Sequence, residues 1–380
     1  MWIIGALAGA ALIVLTLFEG FETIIQPRRV TRRFRYARLF YRNTWIAWRW
    51  LAVRISKPNR REAFLGIYGP LSLLGLFASW IAALIFGFAL LDWSVGTPLK
   101  GGDAARPHFF TYAYLSGTTF FTLGYGDVTP AAPFGRALSV AESGLGFGFL
   151  AVIISYLPVL YQAFSGREAV ISLLDARAGS PPSAAQFIVR LARTKSLGAI
   201  DPTLKEWERW AAELLESHLS FPVLSYYRSQ HDNQSWLAAL TAILDACALL
   251  IVAIEEQNSY QAQLTFAMAR HAAVDLALVL RTPPKTPEPD RLPTELCTAV
   301  WNQFEQAGVK LQDHETVRQR LTELRGMYEP FVNALSERLL MPLPSIVADE
   351  PVWDNWQRSA WMKRTPGIGK LPGAASDEHF

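Results

Sequence analysis

Apolar positions in the first 170 residues fall into long blocks, not into the alternation of a surface strand or the stripes of a soluble helix. Four stretches carry no charged side chain: Met1–Phe18, Ala63–Leu91, Pro107–Gly126 and Ser143–Gly166. A membrane-spanning helix needs roughly 20 apolar residues, so each stretch is a candidate for burial in a bilayer. The first lacks a basic leader, and no small-residue cleavage site precedes Glu19, Glu22 and the basic block that follows. It reads as a retained anchor helix. The third is interrupted by Thr111, Ser116, Thr118, Thr119 and Thr122 and closes on glycines, a pattern that suits a re-entrant segment better than a span. Beyond Gly166 the pattern turns helical and amphipathic. Ala/Leu-rich segments run over 184–194, 202–219, 235–257 and 262–281. A Pro-rich linker at 282–293 leads to helices at 295–307 and 315–340 and a Pro/Gly tail with Trp353, Trp356 and Trp361.

Charge fixes the expected direction of the spans. The segment from Pro27 to Arg61 holds eleven Arg and one Lys without an acid, whereas 92–108 holds only Lys100 and Arg106 against Asp92 and Asp103. Basic residues flanking spans stay on the cytoplasmic side. The basic block is therefore expected inside, the N-terminus outside, and everything after about Ser165 inside, in the cell membrane. With 51% hydrophobic residues the chain is not a disordered one, and Cys247 and Cys297 read as reduced thiols, not a disulfide framework. No enzyme signature occurs, and nothing calls for a cofactor or a nucleic-acid partner.

The stretch Thr118-Thr119-Phe120-Phe121-Thr122-Leu123-Gly124-Tyr125-Gly126-Asp127 resembles the pore helix and selectivity filter of potassium channels. The likeness is detailed over 109–130 and looser over the helix–pore–helix unit 63–162. It implies a filter of Thr122, Leu123, Gly124, Tyr125 and Gly126, with K+ as permeant ion held at Thr122, Leu123, Gly124 and Tyr125, and Asp127 at the mouth. Carbonyl oxygens replace the ion's water without adding net charge. Gly124 and Gly126 permit the positive φ that turns successive carbonyls the same way. Leu123 and Tyr125 are expected to point away from the pore and wedge against the pore helix. Leu123 departs from the usual Val or Ile, Phe121 stands where Thr is frequent, and Thr118 stands where some members carry an acid. One filter strand cannot ring an ion and no internal repeat occurs, so the resemblance implies a homotetramer.

The expected fold is an all-α membrane protein. Its parts are an N-terminal transmembrane helix (1–26), a basic interfacial helix (27–62), the pore domain (63–165), a helical cytoplasmic regulatory domain (166–342) and the tail (343–380). On the inner pore helix, 136–162, Gly146 with Gly144 and Gly148 suits a hinge or close packing against the outer helix. Pro158 is expected to kink the cytoplasmic end. Leu150 and Ile154, one turn apart, are candidate cavity-lining residues. Glu142 is an acid within an apolar helix, either functional or simply snorkelling or hydrogen-bonded to the pore helix. Glu19 and Glu22 are expected to pair with nearby Arg.

In the basic block an uncharged stripe of Val30, Phe34, Ala37, Tyr41, Trp45, Trp48, Ala52 and Ile55 has the spacing of one helix face. With Arg and Trp together it reads as a cuff along the inner membrane surface. Arginines at every third position also occur in voltage sensors, but those need more surrounding spans. Arg28, Arg29, Arg32, Arg33 and Arg35 are candidate contacts for anionic lipid, or else only set topology. Trp236–Ile254, apolar but for Asp245, reads as a core helix of the cytoplasmic bundle in preference to a fourth span, since a central Asp costs about 2.5–3.5 kcal/mol in a bilayer. His218, and His271 with Asp275, offer proton or metal sensing with His231, Asp232 and Glu213, or plain core roles. The resulting function is a potassium channel gated by its helical domain. Its rival is a membrane-anchored scaffold carrying a non-conducting pore relic.

Overall fold

The computed structural model describes residues 2–26, 35–101, 107–194, 196–230, 233–254 and 260–347. The chain is a mostly helical membrane protein of two compact units, Met1–Gln162 and Ala163–Phe380. Among the described residues, three helices are long and apolar enough to cross a membrane: Trp2–Ile25, Pro58–Val95 and Pro133–Ala178.

In the first unit, α1 (Trp2–Gly20) runs into a π-turn at Phe21–Ile25. Next come α2 (Tyr36–Ala52), α3 (Pro58–Val95), α4 (Phe109–Phe120) and α5 (Pro133–Ala178), the last of which continues into the second unit. A two-residue antiparallel ladder, β1 (Leu99–Lys100) with β2 (Thr129–Pro130), ties the exit of α3 to the segment after Asp127. Lipid is as apolar as leucine, so spanning helices associate where small residues let backbones approach. The crossing of α1 and α3 follows that rule. A Cβ added at Gly9 would lie 2.7 Å from the Gly87 carbonyl oxygen, and one at Gly87 would lie 2.8 Å from Ile13 Cγ1. Gly9→Ile should therefore force α1 off α3 and lower the stability of the detergent-solubilised protein by about 1–3 kcal/mol, the usual cost of overpacking. Ala8→Ile, on the exposed side of α1, should leave the thermal midpoint unchanged.

Helix α2 buries Ala37, Tyr41, Trp45 and Ala52, four members of the expected stripe. This face packs on α3. Trp48 stacks on Phe64 with centroids 4.3 Å apart, Trp45 meets Tyr68 edge-on, and the Tyr68 hydroxyl donates to the Tyr41 carbonyl at 3.0 Å. Glu19 is buried and its Oε1 accepts the Ala37 N–H at 3.1 Å, so it caps the first turn of α2. The face of α2 left exposed carries Ile46 and Trp50 beside Arg42 and Arg49. Arg28, Arg29, Arg32 and Arg33 lie outside the described residues; Arg35 precedes α2 and donates to Thr23 Oγ1 at 3.4 Å.

The second unit contains α6 (Ala184–Arg193), α7 (Asp201–Ser220), α8 (Trp236–Val252), α9 (Tyr260–Val279), α10 (Thr294–Gln306), α11 (His314–Gly326) and α12 (Glu329–Leu339). Its central rod is α8, of whose 17 residues only one is not buried, with α6, α9, α11 and α12 packed around it. Asp245 is the polar point of this rod, and its partners lie within the unit. Arg291 reaches it at 2.7 Å and the Tyr328 hydroxyl at 2.5 Å, which makes α8 a core helix.

Two expectations need correction. The Pro-rich segment 282–293 is not a free linker: it is strapped across the bundle. The Lys285 N–H donates to the Pro330 carbonyl at 2.8 Å, Asn333 donates to the Lys285 carbonyl, and Arg291 inserts between Asp245 and Glu329. The single helix expected over 315–340 is two, because Pro330 lacks an N–H and its ring opposes the carbonyl of Gly326. Pro330 instead sits in the first turn of α12, where its missing donor costs nothing.

Candidate functional site

The site is built on α4, whose last turn delivers the chain into a non-helical segment. Helix α4 is pinned from several sides. The Tyr112 hydroxyl donates to the Thr97 carbonyl at 2.9 Å, Thr111 Oγ1 meets His108 Nδ1 at 2.9 Å, and Phe120 is fully buried. After Phe121, backbone bonds from Thr122 N to the Thr119 carbonyl and from Leu123 N to the Thr118 carbonyl close the helix end.

From there φ is positive at Thr122 (55°), Gly124 (62°) and Gly126 (76°), while Leu123 and Tyr125 keep negative φ. Gly124 and Gly126 thus adopt the conformation their residue type invites. Thr122 does so against its type, since a β-branched residue at positive φ is strained, and no sequence signal marked it. Asp127 is held by the Tyr114 hydroxyl at 2.8 Å, which ties the end of the segment back to α4.

All of 121–127 is exposed in the single chain, with Tyr125 at 68% and Leu123 at 52%. Leu123 and Tyr125, expected to wedge the strand against the pore helix, are both exposed in the single chain.

Helix α5 presents one face to its own unit: Glu142, Gly146, Phe149, Ile153, Tyr156 and Leu160 are buried. Ile154 and Pro158 lie exposed on the opposite face, and Leu150 is half-buried. Gly146 serves close packing, but against α4 and not the outer helix. A Cβ there would stand 2.4 Å from the Phe120 carbonyl oxygen, while Gly144 and Gly148 face open space. The helix passes through Pro158 and on to Ala178 without interruption, 16 residues past the expected end. Glu142 does not snorkel. It is buried and accepts a hydrogen bond from Ser116 Oγ of α4, whose hydroxyl also lies 2.8 Å from the Ile85 carbonyl of α3, so outer, pore and inner helices meet at one point.

The residues considered for sensing do not assemble. His231 and Asp232 lie outside the described residues, and among the described ones no group of three His, Cys, Asp or Glu could hold a metal ion. His271 stands 3.7 Å from Asp275. His218 is fully buried, with Nδ1 on the Leu214 carbonyl at 2.8 Å, and burial together with the Arg167 charge holds it well below the usual imidazole range. Below about pH 6.5 the unfolded chain takes up a proton at this residue and the folded one does not. Acidification from that point should therefore cost stability, by at most about 1.4 kcal/mol per pH unit, until the folded-state value is reached. Melting curves of the full chain between pH 7 and pH 5 should show this slope, and His218→Gln should reduce it.

Residues 74–162 match a family model described as an ion channel. Across 81% of this chain and 84% of its own length, the uncharacterized membrane protein YdjJ of Bacillus subtilis is 23% identical. Protein LctB of Geobacillus stearothermophilus is 33% identical over 94 residues, 69% of its length, and protein LctB of Bacillus caldotenax is 32% identical over 95 residues. No solved structure matches the chain.

Proposed function

We propose, for a chain that belongs to the ion channel family matched by its residues 74–162, that four copies assemble into a potassium-selective channel whose helical second unit controls opening. The observation that carries this reading is the backbone of 122–126. Positive φ on alternate residues turns successive carbonyls to one side of the strand, the arrangement needed to replace a cation's hydration shell. The C-terminal carbonyls of α4 add a negative dipole end beneath it.

Tetramer formation rests on exposure. Non-helical backbone at membrane depth must be covered by protein or line a water-filled path, and this chain alone leaves 121–127 uncovered. Three further copies around a closed axis supply both the cover and the missing sides of the ion ring. Leu150, Ile154 and Pro158 then line the inner cavity, on the face of α5 turned from its own unit. The Arg/Lys distribution places the N-terminus outside and the second unit in the cytoplasm of a cell membrane. It also sets the cationic face of α2, with Arg35 and the preceding Arg28, Arg29, Arg32 and Arg33, against anionic lipid of the inner leaflet.

The test is potassium flux through purified full-length protein in liposomes, with and without anionic lipid. Flux above protein-free background is expected, larger or smaller when lipid charge changes. Equal flux in both lipid mixtures removes the lipid contribution. Absence of flux at every pH, calcium level and voltage tried would favour the scaffold with a relic pore.

A further inference from the structure

The last turns of α5, from Ala163 onward, belong to the second unit, and there an otherwise apolar helix acquires a charged pair. Arg167 and Glu168 are instead buried, and the helix runs on through them. Arg167 lies 25 residues beyond Glu142, about 37 Å along the helix axis at 1.5 Å per residue, more than the roughly 30 Å of a hydrocarbon core. Its burial is therefore burial in protein.

A guanidinium has five N–H donors in a fixed fork, and here every nitrogen is engaged. Nε donates to Glu168 Oε1 at 2.9 Å, and Nη2 meets the same carboxylate at 2.8 Å. Nη2 also donates to the Tyr227 carbonyl at 3.1 Å, and Nη1 to the Leu224 carbonyl at 3.1 Å. Nη1 further lies 3.4 Å from His218 Nε2. Because His218 Nδ1 faces the Leu214 carbonyl, it carries the ring proton, and Nε2 is left as the acceptor toward Arg167. The Arg167 main chain is held as well: Trp210 Nε1 donates to its carbonyl at 3.2 Å. Phe164 closes the site with its ring centroid 5.0 Å from the guanidinium carbon. One side chain of α5 thus bonds α7 through His218 and the turn after α7 through Leu224 and Tyr227.

We infer that Arg167 is the latch by which the cytoplasmic bundle holds the inner end of the pore-lining helix, so that its bonding sets the balance of open and closed channels; this rests on the channel reading. The helix is continuous from Pro133 to Ala178, so Arg167 is carried on the same helix as Pro158 and Ile154, and a shift imposed at Arg167 acts on the helix that bears them. The latch is a positioning device and touches no permeating ion. It therefore alters how often the pore opens and not what passes through it.

The experiment compares the full-length parent with Arg167→Lys and Arg167→Gln by single-channel recording, together with hydrogen exchange of the amides of 163–178. Lysine keeps the charge without the fork; glutamine removes the charge. Both should change open probability at least about fivefold, the lower end of ordinary coupling between sites, with unitary conductance and ion selectivity unchanged. Amide exchange over 163–178 should accelerate in step. Loss of stability alone would lower the number of channels and leave the open probability of each one alone. Should Arg167→Gln fail to assemble, Trp210→Phe removes one bond to the same turn and should shift open probability in the same direction. Unaltered open probability in assembled variants, or unaltered exchange over 163–178, overturns the latch. A parent without channel events refutes the channel reading instead, and the exchange data then still decide whether Arg167 anchors α5.

Discussion

Gly124→Ala should reduce potassium flux to the protein-free background while leaving assembly intact. Gly124 holds φ at 62°, and an added Cβ would meet nothing within 4 Å in its own chain, so the effect comes from the backbone and not from a clash. An L-residue in this conformation costs roughly 1–2 kcal/mol in each chain that carries it. Relaxing to negative φ would swing the carbonyl out of line with its neighbours. A single misdirected carbonyl per chain removes a complete ring of ligands when four chains contribute. Size-exclusion profiles matching the parent, with flux absent, are the expected pair of results. Flux at the parent's level would mean that the alternating backbone of 122–126 has no role in conduction.

The second large effect is on stability and lies in the other unit. Arg291 bridges Asp245 at 2.7 Å and Glu329 at 3.0 Å, and Arg325 holds Glu329 from its other side at 3.0 Å. Burial pushes the Glu329 carboxyl above its ordinary range, against the pull of Arg325 and Arg291. Removing one partner of a buried ion pair leaves an uncompensated charge and costs about 3–5 kcal/mol. That is a large share of the roughly 5–15 kcal/mol that stabilises a folded domain. Arg291→Ala should therefore unfold or strongly destabilise the second unit, visible as a large drop in melting temperature. The double change Asp245→Leu with Arg291→Met should recover much of the loss, because apolar groups of similar volume replace a buried pair at little cost. If the double variant is no more stable than Arg291→Ala, the strap at 282–293 is held by something other than this ion pair.

The sequence disclosed faces more readily than partners. The spacing of Ala37, Tyr41, Trp45 and Ala52 located the buried side of α2, since three- and four-residue steps admit only one helical face. It said nothing of what covers that face, which the structure shows to be α3. Composition misled at 282–293, because proline content describes local stiffness and is silent on whether Arg291 finds two carboxylates far away in the chain. At the site, Gly124 and Gly126 announced their backbone through residue type, while Thr122 reached φ 55° against its own preference and left no trace. Gly146 was visible as a small residue, but only the structure shows the Phe120 carbonyl that makes it necessary.

The most direct test is the reversal potential of the purified full-length protein in a planar bilayer with potassium on one side and sodium on the other. Filter carbonyls set as in 122–126 predict single-channel currents that reverse far from zero, displaced in the direction that favours potassium. Currents that reverse at zero, or no channel currents under any condition that leaves the protein folded and assembled, would contradict the account.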